Sequence, residues 1–426
     1  MKIVILNLSF MVSILSAIAL FVPVFSGYIL GLVMLIIALF SRIVAEPANS
    51  SDEHKKFLNL LKPISNGAFF FVVSLILAGF WAAADSEVTQ WALFKRNLAN
   101  SFVKYFLLWI VYLTFWWRVT VSKKLWPCFA FSFAVISVFH LVYCIAQRVY
   151  GLDWGHGFHA VLGPGRYAYG VYRVSGFLGH PLTLGYSQLL ALCGCSSFYT
   201  ISDNRREKNA WLIGLISALV LILMSGSRGP QILAVAIVIM SIPREMIVMR
   251  WRGLVFIAVI LAAFALSVGA FSRFEELFNH GLGGDARFTH WSVYWRIFID
   301  HRLHGIGPGA PEQAISAYYF RADADDTIKL AHNAFLQCAA EYGVLGLTGM
   351  LYWIYSWARL WCDVTYVKKG IFGLLFILVL GGLTQNTIQD SEFVLSLTIW
   401  TMLLVAKEVD LSGIAAGRAK TKDFVS

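Results

Sequence analysis

Long apolar stretches recur along the chain, near residues 3–21, 24–41, 67–84, 102–117, 127–147, 181–200, 209–224, 230–242, 253–271, 335–360, 369–386 and 392–406. A helix rises about 1.5 Å per residue and the hydrocarbon of a bilayer is roughly 30 Å thick, so about 20 apolar residues suffice to cross it. The pattern therefore predicts an all-α polytopic membrane protein with about twelve transmembrane helices. The first run follows Lys2 as the core of a signal peptide would. No small-residue cleavage site comes after it and a second run begins at once, so it reads as a retained helix.

Composition agrees with this pattern. Of the 426 residues 58% are hydrophobic and only 14% charged, where a soluble domain carries roughly 25% charged residues. A soluble enzyme, a disordered regulator and a disulfide scaffold are all excluded. The formal net charge of +10 suggests nucleic acid at first sight, but a polytopic chain gathers Lys and Arg in its cytoplasmic loops. With the N-terminus cytoplasmic, Arg42, Lys55, Lys56 and Lys62, Arg118, Lys123 and Lys124, Arg205, Arg206 and Lys208, Arg244, Arg250 and Arg252, Arg359, Lys368 and Lys369, and the tail from Lys407 fall on that side. Both termini are then cytoplasmic. The six cysteines lie in or beside apolar runs without a CxxC pair and read as small core residues.

This topology divides the chain into helices one to nine over 1–271, with a non-cytoplasmic loop near 148–180, then a large non-cytoplasmic loop at 272–331, helices ten to twelve over 332–406, and a basic cytoplasmic tail at 407–426. Within the large loop, Phe288, Trp291, Tyr294, Trp295 and Phe298 mark short amphipathic helices at the membrane surface.

The basic residues on the non-cytoplasmic face need another explanation. They are mostly arginine, including Arg148, Arg173, Arg228, Arg287 and Arg302, and guanidinium grips phosphate through a two-pronged fork. All 10 histidines except His54 and His140 share that face. In Ser225-Gly226-Ser227-Arg228-Gly229-Pro230 a tight polar turn joins two apolar runs and sets Arg228 at the mouth of the bundle, where an unpaired charge is costly; an arginine snorkelling to the interface is the plainer alternative. Arg173 precedes a Gly/Pro-rich approach to a helix that ends in His180-Pro181. Arg287 lies four residues before Trp291, one helical turn, a spacing equally suited to cation–π packing. His332, in Ala331-His332-Asn333, sits where a polar loop meets a long apolar helix, and a neutral imidazole there suits general-base work on a hydroxyl; a His-Asn cap is the structural alternative.

Metal and nucleotide chemistry have weaker support. Asp323-Ala324-Asp325-Asp326 has the spacing with which many glycosyltransferases hold a divalent cation, and His156-x-x-His159 or His301-x-x-His304 sets imidazoles one turn apart. Short acidic runs in loops are usually only solvated charge, so no metal and no other cofactor is expected. Walker A, Rossmann and GxSxG patterns do not occur.

Four segments carry a resemblance: Arg173 to Pro181; Ser225-Gly226-Ser227-Arg228-Gly229; Arg287-x-x-x-Trp291 leading to Gly305-Ile306-Gly307; and His332-Asn333-x-x-Leu336-Gln337-x-x-x-Glu341-x-Gly343-x-x-Gly346-Leu347. In these the chain resembles the bacterial O-antigen ligases and the related O-antigen polymerases and pilin oligosaccharyltransferases, over about residues 170 to 350. It departs from them before Gly305, where His304 stands in place of the frequent proline. The resemblance implies a GT-C-like glycosyltransferase of the bacterial inner membrane, active on the periplasmic side and taking part in lipopolysaccharide biosynthesis. Its donor would be a glycan on undecaprenyl pyrophosphate and its acceptor a sugar hydroxyl of the lipid A core, with inversion and without metal. Arg228 and Arg287 would neutralise the pyrophosphate, Arg173 would add a phosphate contact and His332 would act as base, with His180, Asn333, Trp291, Gly305 and Gly307 binding substrate. A polymerase would use nearly the same parts. A transporter of lipid-linked sugars would instead need ionisable residues at the midplane of several helices.

Overall fold

The computed structural model describes residues 51–84, 125–152, 167–168, 171–241, 286–311, 314, 318 and 330–423. The described part is helical apart from one two-residue ladder. In chain order it comprises α1 (Ser51–Ala84), α2 (Leu125–Tyr150), β1 (Tyr167–Ala168), β2 (Val171–Tyr172), α3 (Pro181–Ile201), α4 (Arg205–Met224), α5 (Arg228–Ser241), α6 (Ala286–Asp300), α7 (Ala334–Asp363), α8 (Lys368–Thr384) and α9 (Ser391–Asp423). β1 and β2 pair antiparallel, Tyr167 opposite Tyr172, a small exception to the all-α expectation. The apolar runs at 3–21, 24–41, 102–117 and 253–271 lie outside the described residues.

Four described helices are long and apolar enough to cross a membrane: Lys55–Ala84, Trp126–Tyr150, Arg205–Met224 and Ala334–Asp363. Two other long helices, α3 and α9, are enclosed by protein along most of their described length. Along α3, Ser187, Gln188, Ser196 and Ser197 are all buried. Rings from four helices close around its lower half: Phe198 stacks on Trp211 at 4.6 Å, and Phe133 meets Trp400 edge-on at 5.2 Å.

Two segments depart from the hydropathy reading. Residues from Ser51 to Asn66, whose lysines predict a basic cytoplasmic loop, are the opening turns of α1. Phe57, Leu60, Leu61, Ile64 and Ala68 are buried at helical spacing while Lys55, Lys56 and Lys62 are exposed, a 3.6-residue period that an average over apolar runs dilutes. α9 likewise continues through the residues read as a tail.

α7 is broken once. Gly343 has φ 61 within the helix, a left-handed angle that glycine adopts at little cost. There the backbone turns to receive the Gly305-Ile306-Gly307 element: Ile306 N–H donates to Ala340 O (3.0 Å), Gly307 N–H to Glu341 O (3.0 Å) and Val344 N–H to Arg302 O (2.7 Å). A Cβ on Gly343 would overlap the Leu303 backbone. Gly343→Ala is thus expected to destabilise the fold by about 1–3 kcal/mol, from positive φ alone and before the overlap is counted. A thermal unfolding curve in detergent checks it, and an unchanged midpoint would refute it.

Candidate functional site

The site forms where the start of α7, the end of α8, the start of α5 and the strand leading into α3 converge. Arg173 and the 225–229 turn are joined directly. Arg173 Nε donates to Ser225 O (3.1 Å) and Nη2 to Ser227 Oγ (2.7 Å). Its aliphatic stem lies across Gly226, whose φ of 61 and missing side chain let the chain reverse beneath it. Next to that turn Arg228 opens α5. The unsatisfied amides of a helix start carry partial positive charge, which adds to the guanidinium in favouring an anion here.

The segment around Arg173 is itself anchored. Ser175 and Gly176 N–H both donate to the buried Gln147 Oε1 (3.1 and 3.0 Å), and Val174 N–H donates to Met224 O (3.4 Å). His180 caps α3, its Nδ1 accepting from Leu182 N–H (3.1 Å). That contact explains its place before Pro181 without a ligand.

His332 Nδ1 lies 2.8 Å from Gln385 Oε1. Since a carboxamide oxygen accepts, Nδ1 carries the proton and the lone pair of the neutral ring is on Nε2. Among the described non-glycine residues His332 has the only positive φ, 49, a conformation that costs of order 1–3 kcal/mol and persists where surrounding contacts impose it. Those contacts are identifiable. Asn333 caps α7, accepting at Oδ1 from Phe335 and Leu336 N–H (3.0 and 3.1 Å). Trp291 Nε1 of α6 donates to Ala331 O (2.9 Å), on the other side of His332. The fully buried Gln337 accepts at Oε1 from Ala331 N–H (3.0 Å) and Asn386 Nδ2 (3.2 Å), while its Nε2 donates to Glu341 Oε1 (2.6 Å). Gln389 Nε2 completes the Glu341 carboxylate at Oε2 (3.0 Å). The turn between α8 and α9 is thereby locked to the start of α7.

That turn also connects the two halves of the site. Thr384 Oγ1 and Tyr186 Oη share a hydrogen bond of 2.6 Å, and both flank Gly229, where a Cβ would stand 3.5 Å from Thr384 Oγ1. Contacts run without a gap from Arg173 through the Ser225–Gly229 turn to Thr384, Gln385 and His332. Asp390 ends the same turn. It accepts from Thr183 Oγ1 (2.5 Å) and from the Glu392 and Phe393 amides (3.0 and 3.3 Å). Burial pushes its carboxyl above the ordinary aspartate range, against the pull of those three donors.

Of the residues singled out from sequence, Arg173, Arg228 and His332 are gathered here. Asn333 and Trp291 hold the His332 backbone, and Gly305 and Gly307 brace the α7 kink. Arg287 stands in the first turn of α6, one turn before Trp291; its side chain lies outside the described residues. Also outside them are His156, His159 and Asp323 to Asp326. Among the described residues no cluster of His, Cys, Asp or Glu has the makings of a metal site. His304 stacks on Trp81 at 5.4 Å and contacts Gly305 O.

Sequence reasoning missed Gln385, Asn386 and Gln389 entirely, and gave Gln337 and Glu341 no role. A signal was present: Thr384-Gln385-Asn386-Thr387 and Gln389-Asp390 interrupt two apolar runs with more hydrogen-bonding groups than a connecting turn requires.

No curated protein matches the chain. A family model does, over residues 213–351, a stretch that includes Arg228, Arg287, Trp291, Gly305, Gly307, His332 and Asn333 but neither Arg173 nor the turn from Gln385. Over that stretch the chain is similar to the O-antigen ligase family.

Proposed function

We propose that the protein is an O-antigen ligase, transferring a glycan from undecaprenyl pyrophosphate to a sugar hydroxyl of the lipid A core. The observation that carries this reading is the run of contacts joining Arg173 and the Arg228 turn to Gln385 and His332. In the proposed step His332 Nε2 takes the proton from the acceptor hydroxyl. The oxygen attacks the anomeric carbon from the face opposite the pyrophosphate, the bond to the leaving oxygen breaks, and the configuration inverts. Negative charge collects on the departing pyrophosphate. Arg228, the start of α5 and Arg287 offset it, acting as a bound cation would, because fixed positive groups in a poorly solvated site need no reorganisation. Arg173 uses two of its donors to hold the turn that carries Arg228, which keeps a second guanidinium beside the proposed phosphate position.

The proposal includes the topology: about twelve spans in a GT-C-like arrangement, both termini cytoplasmic, residues 272–331 forming the periplasmic loop, and the site at the periplasmic face of the inner membrane. The family match supports a ligase or polymerase type of activity; the acceptor separates the two. Purified protein in EDTA is given the lipid-pyrophosphate glycan with or without core-only lipopolysaccharide, and products are read as gel shifts. A ligase forms product only when core is present. Chain growth from donor alone would establish a polymerase instead, and activity only after a divalent ion is restored would refute the metal-free step.

A further inference from the structure

A second feature lies at the opposite end of α7. A cavity of about 380 Å³ opens between α1 and α7, lined by Asn59, Lys62, Pro63, Asn66 and Arg359 among others. An adjoining slot of about 330 Å³ is lined by Asn66, Phe69, Phe70 and Tyr352. Asn66 and Tyr352 belong to both, so the polar space and the aromatic one are continuous.

Three properties of this pair of cavities define an occupant. First, charge: Lys62 and Arg359 face the polar cavity against a single carboxylate, Asp363, and among the described residues neither cation has an ion-pair or hydrogen-bond partner. Arg359 presents a fork suited to phosphate. Second, backbone: Pro63 stands inside α1 and has no N–H, so the carbonyl of Asn59, one turn earlier and also lining the cavity, lacks its helical donor. Third, depth: from the break at Gly343 to Arg359 the helix advances roughly 24 Å at about 1.5 Å per residue, most of the thickness of the hydrocarbon. The polar cavity therefore lies toward the end of α7 remote from the candidate site, on the side of the opposite leaflet. Its aromatic extension leads inward along α1, where Phe69, Phe70, Leu77 and Phe80 are exposed.

We infer that this is a binding site for an anionic phospholipid, its phosphate between Lys62 and Arg359 and an acyl chain along Phe69, Phe70 and Tyr352. The α1–α7 seam beside it is too tight to yield: a Cβ on Gly67 would overlap Ser356, and one on Gly349 would overlap Ser74. The site is therefore preformed, and a bound lipid fills it without separating the helices.

The test is native mass spectrometry of the delipidated full-length protein, titrated with phosphatidylglycerol, phosphatidylethanolamine or soluble glycerol phosphate. Phosphatidylglycerol should bind at least ten-fold more tightly than the other two. The pair Lys62→Gln and Arg359→Gln should abolish that preference, and Lys55→Gln with Lys56→Gln, charges on the same helix outside the cavity, should leave it intact. If the first pair fails to fold, as judged by its unfolding temperature, Arg359→Gln alone is read for the same loss. Equal binding of phosphatidylethanolamine, equal binding of glycerol phosphate, or equal loss in the Lys55/Lys56 variant would each overturn the inference.

Discussion

Replacing His332 by alanine should lower glycan transfer roughly 100- to 10,000-fold, the contribution typical of a positioned general base, while binding of the lipid-linked donor persists. In the proposed mechanism the loss falls on the turnover rate, because the imidazole would act on the acceptor proton in the transition state while the arginines would hold the donor. Structure sharpens the expectation through Gln385. Its carboxamide oxygen fixes the His332 tautomer at 2.8 Å, so Gln385→Ala should cost less than His332→Ala and act through the same step. Gln385→Glu should shift the pH profile upward, since a carboxylate beside the ring favours the imidazolium and raises its pKa. Transfer by His332→Ala within a factor of ten of the parent protein would remove His332 from the chemistry.

Arg228→Ala should reduce transfer roughly 100- to 1,000-fold, the scale on which one fixed electrostatic group acts on a developing oxyanion. Lysine at 228 should recover only part of this, because an ammonium is a point charge without the fork. Arg173 offers an internal contrast. It binds the turn through Ser225 O and Ser227 Oγ, so Arg173→Ala should impair transfer partly by releasing Arg228, and Arg173→Ala with Arg228→Ala should cost less than the two single losses combined. Additive losses would mean that the two arginines act independently, despite the bonds that tie Arg173 to the turn before Arg228.

The helices were legible wherever a long apolar run coincided with one. α2, α4 and the length of α7 follow from composition alone, and Asn333 at the head of α7 is the side chain a helix start calls for. α1 was half legible, since its first turns are amphipathic and the basic residues on their outer face masked the period. The Gly343 break was not legible. A glycine in an apolar helix does not announce a positive φ, which arises here because Gly305-Ile306-Gly307 docks on it from some forty residues earlier in the chain.

Sequence by itself determined that the chain is a membrane protein and that Arg173, Arg228 and His332 belong to polar breaks between apolar runs. Those properties are local: hydropathy, a turn's glycines and an arginine's charge are written residue by residue. Tertiary structure alone decided which breaks meet. Arg173 crosses to the 225–229 turn, and His332 finds Gln385, 53 residues away along the chain. The Gln337–Glu341–Gln389 clamp that holds them together joins α7 to the turn after α8. Hydrogen bonds of this kind depend on how helices pack side by side in three dimensions, and no periodicity within a single run encodes that.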